Sequence, residues 1–398
     1  MEFDKFDLPM PPPWAEPDAY NFTMSKKPDV AILGAGVVGQ ALALLLARER
    51  LKVALVAPPS AAAGSPDIRA YALNAASRSL LQSLRAWPDE PGNTALTPVR
   101  QMWVCEPDGG EPAALRFAPD HDDQPLAWIA DVPALEAALA QAVRYQPGIE
   151  HMTQAPPGVA LTVVCEGRRS STRAALGFAT ERRPYAHTAI AARLHTERPH
   201  GGVARQWFLH GDILALLPLE GEHGHAVALV WSMAPERAAH WMAQSADALA
   251  QGVAQACDHA LGAMRLHGQP AAWPLELARA THWVQPGVAL AGDAAHAMHP
   301  LAGQGLNAGL ADVAALAKVL HEREYWRPLG DIRLLRRYER ARQADLRAMQ
   351  WLTEGLYGLF GHTDPRLQAL RRWGLRRFDG LAPLKRWAMQ QAMGQPPA

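Results

Sequence analysis

This chain of 398 residues has few cysteines, no formal net charge and no long apolar run. The three cysteines, Cys105, Cys165 and Cys257, lack the paired spacing of a zinc site or a disulfide framework and fit a reducing compartment. Lysine plus arginine equals aspartate plus glutamate at 39 each, so no global field attracts nucleic acid. No segment is apolar for long enough to cross a bilayer.

The beginning of the chain differs in composition from the rest. Residues 1–23 contain several prolines and acids, with no basic region followed by an apolar run. This excludes a signal peptide and predicts a disordered leader over 1–27. Met24 is an alternative to Met1 as the start of translation.

A glycine-rich turn lies between a predicted strand and a predicted helix. The apolar run 29–33 leads into Gly34, Gly36 and Gly39, and an Ala/Leu-rich helix is predicted over 40–48. In a βαβ unit the first glycine permits a tight turn, the second lets the backbone approach a pyrophosphate, and the third lets the helix pack closely. This context favours a dinucleotide site over a purely structural turn.

The second strand of this unit, residues 52–56, ends without the acidic residue that normally holds the adenosine ribose. Ala57 follows the strand instead. Either another group such as Ser60 holds the ribose or the cofactor binds more weakly, by about 1.5–3 kcal/mol for one charge-assisted hydrogen bond.

A second signature begins where the apolar strand 287–291 ends in Gly292 and Asp293. Asp293 is thus predicted at the C-terminal end of a strand, where α/β sheets bind ligands, and can accept hydrogen bonds from ribityl hydroxyls. The loop 300–307 brings glycines to the start of a helix predicted over 308–320. Its N–H groups and partial positive charge suit the electron-rich edge of a reduced flavin.

The segment from Gly292 to Asn307 reads G-D-A-A-H-x-x-H-P-x-A-G-Q-G-L-N. It resembles the second FAD motif of the group A flavoprotein aromatic hydroxylases, which are similar to para-hydroxybenzoate hydroxylase, and above all that of the ubiquinone-biosynthesis hydroxylases. The segment around Arg69 is similar to the one in which an arginine of this family reaches the flavin. The resemblance extends from Asp29 to Gly394.

The family's middle motif, D-G-x-x-S-x-x-R, serves both FAD and the nicotinamide donor. It corresponds here to Glu166, Gly167, Ser170 and Arg173, so a longer acid replaces the aspartate. The stretch 146–161 is also shorter than in the family. These departures motivate an alternative, a catalytically degenerate accessory or scaffold subunit.

The resemblance implies a set of site residues. Pro300 is expected near the junction of flavin and substrate, and His296 and His299 are candidates for proton handling, with plain loop structure as the alternative. No metal site is expected. The expected FAD-binding residues are Gly34, Gly36, Gly39, Arg69, Glu166, Gly167, Arg173, Gly292, Asp293, Gly303, Gln304, Gly305 and Asn307.

The fold class expected is α/β, with a Rossmann-like FAD-binding domain of the GR2 type, an antiparallel-sheet substrate domain and a C-terminal helical tail. Phe208, Leu214, Leu216 and Trp231 are candidates for an apolar pocket wall, or for core. The expected boundaries are 28–100, 155–182 and 280–345 for the FAD-binding domain, 101–154 and 183–279 for the substrate domain, and 346–398 for the tail.

The resemblance implies an enzyme, an FAD-dependent monooxygenase that uses NAD(P)H and O₂ to hydroxylate the ring of a polyprenyl phenol in ubiquinone biosynthesis. A monooxygenase of a soluble aromatic acid is a further alternative. An arginine-rich helix predicted over 332–347 is typical either of contact with anionic lipid or of a solvated face over the FAD-binding domain. A membrane-dissolved substrate favours a cytoplasmic protein that is peripheral on the inner membrane or part of a multi-protein ubiquinone-biosynthesis complex.

Overall fold

A computed structural model describes residues 27–57, 68–88, 95–105, 115–119, 124–209, 211–221, 223–297 and 304–361. Residues 1–26 of the predicted leader and the tail beyond 361 lie outside these ranges, as do Ser60, His299, Pro300 and Gly303. The strands are β1 Val30–Leu33, β2 Val53–Val56, β3 Ala70–Leu73, β4 Leu96–Val99, β5 Gln101–Cys105, β6 Leu115–Phe117, β7 Ala127–Asp131, β8 Ile149–Met152, β9 Leu161–Val164, β10 Thr180–Thr196, β11 Val203–Leu209, β12 Asp212–Leu219, β13 Ala226–Met233, β14 Met264–Ala280, β15 Val284–Gln285, β16 Val288–Leu290 and β17 His296–Ala297. The α-helices are α1 Val37–Arg48, α2 Ala75–Ser83, α3 Val132–Arg144, α4 Ser171–Ala175, α5 Pro235–Met242, α6 Ala246–Ala256, α7 Gln304–His321 and α8 Ile332–Gly361.

A six-stranded sheet, here called the first sheet, has the order β15-β16-β9-β1-β2-β8. All its neighbours are parallel except β15 and β16. Every residue of β1 and β2 is buried, as expected for strands that helices cover on both faces. The predicted βαβ unit is confirmed, with α1 connecting β1 to β2.

An eight-stranded sheet, the second sheet, has the order β17-β14-β10-β13-β12-β11-β5-β6. Helices α5 and α6 cover one of its faces. Because side chains alternate along a strand, Leu214, Leu216 and Trp231 all enter the core beneath these helices. Phe208 follows Trp207, which is part of the same core, and therefore lies on the opposite face.

The opposite face of the second sheet packs against a small antiparallel sheet of order β3-β7-β4. Leu219 and Ala228 of the second sheet meet Val99 and Ile129 of the small sheet there. The small sheet thereby brings β3, which directly follows Arg69, to the junction of the two larger sheets.

The segment 101–154, expected to belong to the substrate domain, divides between the two larger sheets. Strands β5 and β6 join the second sheet, but α3 packs against α1 and β8 extends the first sheet beside β2. The strand β8 has the sequence IEHM and is partly exposed. A short, mostly polar edge strand has no apolar pattern by which the sequence could reveal it.

The stretch 146–161, which is short for the family, still returns the chain to the first sheet. Residues 153–160 connect β8 to β9 across three strand spacings, or about 14 Å. The path also runs back along one short strand, about 13 Å. Eight extended residues reach about 26 Å, so the trimmed segment spans this distance without distorting the sheet.

The C-terminal helix α8 is longer than the predicted 332–347. Leu334, Leu335, Tyr338 and Leu346 lie on its buried face and pack on the first sheet's core. Arg342 is also buried, which the prediction of an exposed basic face did not anticipate. The exposed arginines of α8 are Arg333, Arg336, Arg337, Arg340 and Arg347. Within the described ranges, no helix combines the length and apolar character needed to span a bilayer.

Candidate functional site

The glycine turn between β1 and α1 is built by close contacts that exclude larger side chains. Gly34 has φ +110° and its N–H donates to the carbonyl of Val56 at 2.8 Å. A Cβ on Gly34 would lie 2.5 Å from the carbonyl oxygen of Cys165, and one on Gly39 would lie 1.9 Å from that of Gly34. Both glycines therefore let α1 approach the ends of β1 and β9.

Gly36 differs from Gly34 and Gly39 because a Cβ there would have no atom of the described residues within 4 Å, apart from its own chain neighbours. It is the N-cap residue of α1, and no side chain caps this helix end. The open space above Gly36 thus faces the positive end of the helix dipole and its N–H groups. This cradle fits the pyrophosphate of a dinucleotide.

The second turn follows β16 as a 3₁₀ turn from Gly292 to Ala294. Asp293 is exposed to solvent, yet desolvation by the surrounding protein raises the pKa of its carboxyl group, and the charges of His296, Arg168 and Arg69 only partly offset this. Both facts describe a carboxylate in a concave part of the surface. The position at the C-terminal end of β16 suits an acceptor for ligand hydroxyls.

The middle motif supports this second turn through Arg173. Arg173 is 4% exposed, and its guanidinium donates to the carbonyls of Ala294 at 2.9 Å and Arg168 at 3.0 Å. Arg173 therefore connects the loop after β9 to the turn that carries Asp293. Gly167, in the same loop, has φ +80°.

Glu166 caps the short helix α4. Its carboxylate accepts hydrogen bonds from Ser170 Oγ at 2.7 Å, Thr172 Oγ1 at 2.7 Å and Thr172 N at 3.2 Å. The extra methylene relative to aspartate is thus accommodated within the loop. These three contacts are with the protein itself, and a contact of Glu166 with FAD stays a prediction.

Asn307, in the first turn of α7, connects this helix to the segment that follows Arg69. Its Nδ2 donates to the carbonyl of Ala72 at 2.8 Å, and its Oδ1 accepts from Asn74 N at 3.0 Å and Ser77 Oγ at 2.7 Å. Gln304 begins the same helix, and its Oε1 accepts from Asn307 Nδ2 at 3.3 Å. A cluster of backbone and side-chain contacts therefore aligns the N-terminus of α7, including Gly305, with β3.

His296 is buried behind the second turn, with 1% of its surface exposed. Its Nε2 lies 2.6 Å from Oδ2 of Asp312, and its ring centroid lies 5.0 Å from that of Trp283. This environment is protein core and is not open to solvent. A direct part in proton handling stays a prediction, and so does the role of His299.

Two residues of this region, Asp312 and Arg342, were missed by the sequence analysis. Burial would raise the pKa of Asp312, but the charges and hydrogen bonds of His296 and Arg342 outweigh it and hold the pKa below its ordinary value. A signal was present in the sequence, since Arg342 falls on the apolar stripe formed by Leu335, Tyr338 and Leu346.

The two turns, with their glycine cradle and strand-end carboxylate, are the arrangement expected of a dinucleotide-binding site in an α/β fold. Residues 159–352 match the family model described as FAD binding domain. The fold is similar to that of p-nitrophenol 4-monooxygenase PnpA from Pseudomonas putida, with a TM-score of 0.71 and 16% identity, covering 93% of this chain and 99% of that one.

Two curated relatives show to which family of FAD-dependent monooxygenases the chain belongs. It is 31% identical over 394 residues to ubiquinone hydroxylase UbiL of Rhodospirillum rubrum, covering 93% of this chain and 90% of that protein. It is also 31% identical to the 3-demethoxyubiquinol 3-hydroxylase of Escherichia coli, over 93% of this chain and 100% of that protein. The chain belongs to the family of ubiquinone-biosynthesis hydroxylases, within the FAD-dependent monooxygenases.

Proposed function

We propose that this chain hydroxylates the aromatic ring of a polyprenyl phenol in ubiquinone biosynthesis, with NAD(P)H as electron donor and O₂ as oxidant. One observation carries the proposal. The first turn forms with an open cradle at Gly36 and the second as a 3₁₀ turn at a strand end, in a chain that aligns over 93% of its length with a 3-demethoxyubiquinol 3-hydroxylase. The departures at Ala57 and Glu166 leave these turns intact, which favours an enzyme over a degenerate scaffold subunit.

In this proposal FAD supplies the redox and oxygen-transfer chemistry, and the chain binds and orients it. The open cradle at Gly36 receives the pyrophosphate, and Asp293 accepts hydrogen bonds from ribityl hydroxyls. The N-terminus of α7 offers its N–H groups and dipole to the electron-rich edge of the ring. Arg69, whose charge reaches Asp293, approaches the same cofactor, and Pro300 orients the phenol.

The substrate pocket is proposed on the face of the second sheet that α5 and α6 do not cover. Phe208, Ile213 and Ala215 share this face by register, since Ile213 pairs with Phe208 across β11 and β12. The same face continues to Leu217 and Leu219, which pack toward the small sheet. Its apolar character suits an aromatic ring with a prenyl chain. Leu214, Leu216 and Trp231 belong to the covered face instead.

The test is an absorption spectrum of the purified protein, before and after FAD and then NAD(P)H are added. Flavin bands that bleach on donor addition, followed by a hydroxylated product from a polyprenyl phenol in air, are the expected result. The same assay with a soluble aromatic acid distinguishes the alternative substrate class. Protein that stays colourless with excess FAD contradicts the enzymatic proposal and supports an accessory subunit.

A proposed membrane-facing surface combines the exposed arginines of α8 with the preceding loop. In that loop Tyr325 is 96% exposed and Trp326 is 64% exposed. The guanidinium of Arg327 stacks 4.7 Å from the Trp326 ring centroid. Exposed aromatic rings beside several arginines are typical of proteins that lie on anionic lipid. This supports a peripheral position on the inner membrane, where a prenylated substrate dissolves.

Replacement of Arg336 and Arg340 by glutamine is expected to weaken binding to phosphatidylglycerol vesicles. Each arginine near an anionic surface contributes about 1 kcal/mol, so the double variant should lose roughly 30-fold in partition coefficient at low salt. Vesicle co-sedimentation measures this, with Arg144→Gln, an exposed arginine on α3, as the matched control. Wild-type protein that stays in the supernatant with these vesicles contradicts the membrane proposal and favours recruitment by a protein complex.

A further inference from the structure

Asp312 is a fully buried carboxylate that accepts hydrogen bonds from three separate structural elements. It lies on α7 and is 0% exposed. Its Oδ2 accepts from the N–H of Gly292 at 2.9 Å and from Nε2 of His296 at 2.6 Å. Its Oδ1 accepts from Nε of Arg342 at 2.8 Å. One side chain therefore joins the flavin-facing turn, the strand after it and the C-terminal helix.

Arg342 is the only member of this group that comes from α8. It is 6% exposed, and besides Asp312 it donates to Asp345 Oδ2 at 2.7 Å and to the carbonyl of Ala308 at 3.3 Å. A charged side chain buried with this many partners has a fixed orientation. Removing it would leave Asp312 as a buried carboxylate with one donor fewer.

The Asp312 network also lies where the two FAD turns meet. A Cβ on Gly309, less than one helical turn before Asp312, would lie 2.8 Å from Val38 of α1 and 3.3 Å from Cα of Gly292. The first turn of α1, the 3₁₀ turn and α7 thus contact one another here. A shift of Gly292 would therefore displace the residues of both turns that form the proposed dinucleotide site.

We propose that Asp312, His296 and Arg342 are positioning residues that hold the Gly292–Asp293 turn in its FAD-binding geometry and couple it to α8. They act through the backbone of Gly292 and do not touch the cofactor. Coupling is reciprocal, so FAD binding must in turn stabilise α8. The inference rests on the proposed binding of FAD at this turn.

The test uses full-length apoprotein and two readouts besides activity. Flavin fluorescence gives the Kd for FAD, and hydrogen exchange gives the protection of α8 and α1 amides with and without FAD. In wild type, FAD is expected to slow exchange in 332–347 as well as in α1. Arg342→Met should raise the Kd roughly ten-fold or more, as expected for one buried charged hydrogen bond. It should also abolish FAD-dependent protection of α8 while protection of α1 remains.

Conservative variants separate positioning from general packing. His296→Gln keeps an N–H donor for Asp312 and should bind FAD within about three-fold of wild type, whereas His296→Leu lacks the donor and should bind more weakly. Gln343→Met, on the same helix, is the control and should leave both readouts unchanged. Should Arg342→Met fail to fold, Arg342→Lys, which keeps the charge but loses the guanidinium fork, takes its place.

The outcomes distinguish this inference from the proposed function. Wild-type Kd and wild-type protection of α8 in a folded Arg342 variant overturn the coupling, and so does equal FAD binding by His296→Gln and His296→Leu. Wild-type protein that binds no FAD contradicts the proposed function itself, and with it the coupling.

Discussion

A methyl group at position 39 is expected to abolish FAD binding. In Gly39→Ala the new Cβ would lie 1.9 Å from the carbonyl oxygen of Gly34, and this neighbour is backbone that cannot rotate away. Helix α1 must then move from β1, which separates its N-terminus from the turn. We expect a free energy of unfolding lower by roughly 1–3 kcal/mol, as for other overpacked sites, and a colourless purified protein.

Gly36→Ala is the matched comparison because, among the described residues beyond its chain neighbours, no atom lies within 4 Å of its Cβ. The apoprotein should keep the wild-type melting temperature, yet bind FAD more weakly because the methyl group occupies the space proposed for the pyrophosphate. The ratio of flavin to protein absorbance and the apoprotein melting temperature measure the two effects separately. Full flavin content in Gly39→Ala, or unchanged FAD affinity in Gly36→Ala, would contradict this account of the turn.

Arg173→Met is the second substitution with a large expected effect. It removes both donors that Arg173 gives to the carbonyls of Ala294 and Arg168. A buried acceptor left without a partner costs about 1–3 kcal/mol, so the two together should lower the free energy of unfolding by roughly 2–6 kcal/mol. Because Ala294 belongs to the turn of Asp293, we also expect a markedly higher Kd for FAD.

Urea unfolding of the apoprotein and FAD titration measure these two effects of Arg173→Met. Arg169→Met is the control, since Arg169 lies in the same loop and is exposed. It should change neither quantity appreciably. If Arg173→Met unfolds and binds FAD like Arg169→Met, then Arg173 does not support the turn.

The sequence was sufficient for the parts of the site that depend on backbone geometry. Glycines at 34, 36 and 39 between an apolar strand and a helix predict the first turn because only a few backbone paths satisfy that spacing. Asp293 was predicted at a strand end for the same reason. The α/β fold, with a parallel first sheet and an antiparallel second sheet, was confirmed.

What the sequence did not reveal depends on long-range packing. The strand β8 shows no apolar alternation, because an edge strand needs little burial. The contacts of Arg342 with Asp312 join residues 30 positions apart. The apolar stripe of α8 indicates that Arg342 turns inward, but it does not reveal which carboxylate Arg342 meets. From the sequence alone, Phe208 and Trp231 both fit an apolar pocket wall. Only the pairing register of the strands shows that they lie on opposite faces of the second sheet.

The Asp312 network also bears on when the cofactor can enter. The glycine turn is synthesised long before Arg342, which is one of the partners that fix the second turn. Protein domains tend to fold as units during synthesis, beginning at the N-terminus. This chain has to bring α8 back to its first sheet before the contacts that fix the second turn are complete. A nascent chain that ends before Arg342 should therefore retain FAD poorly.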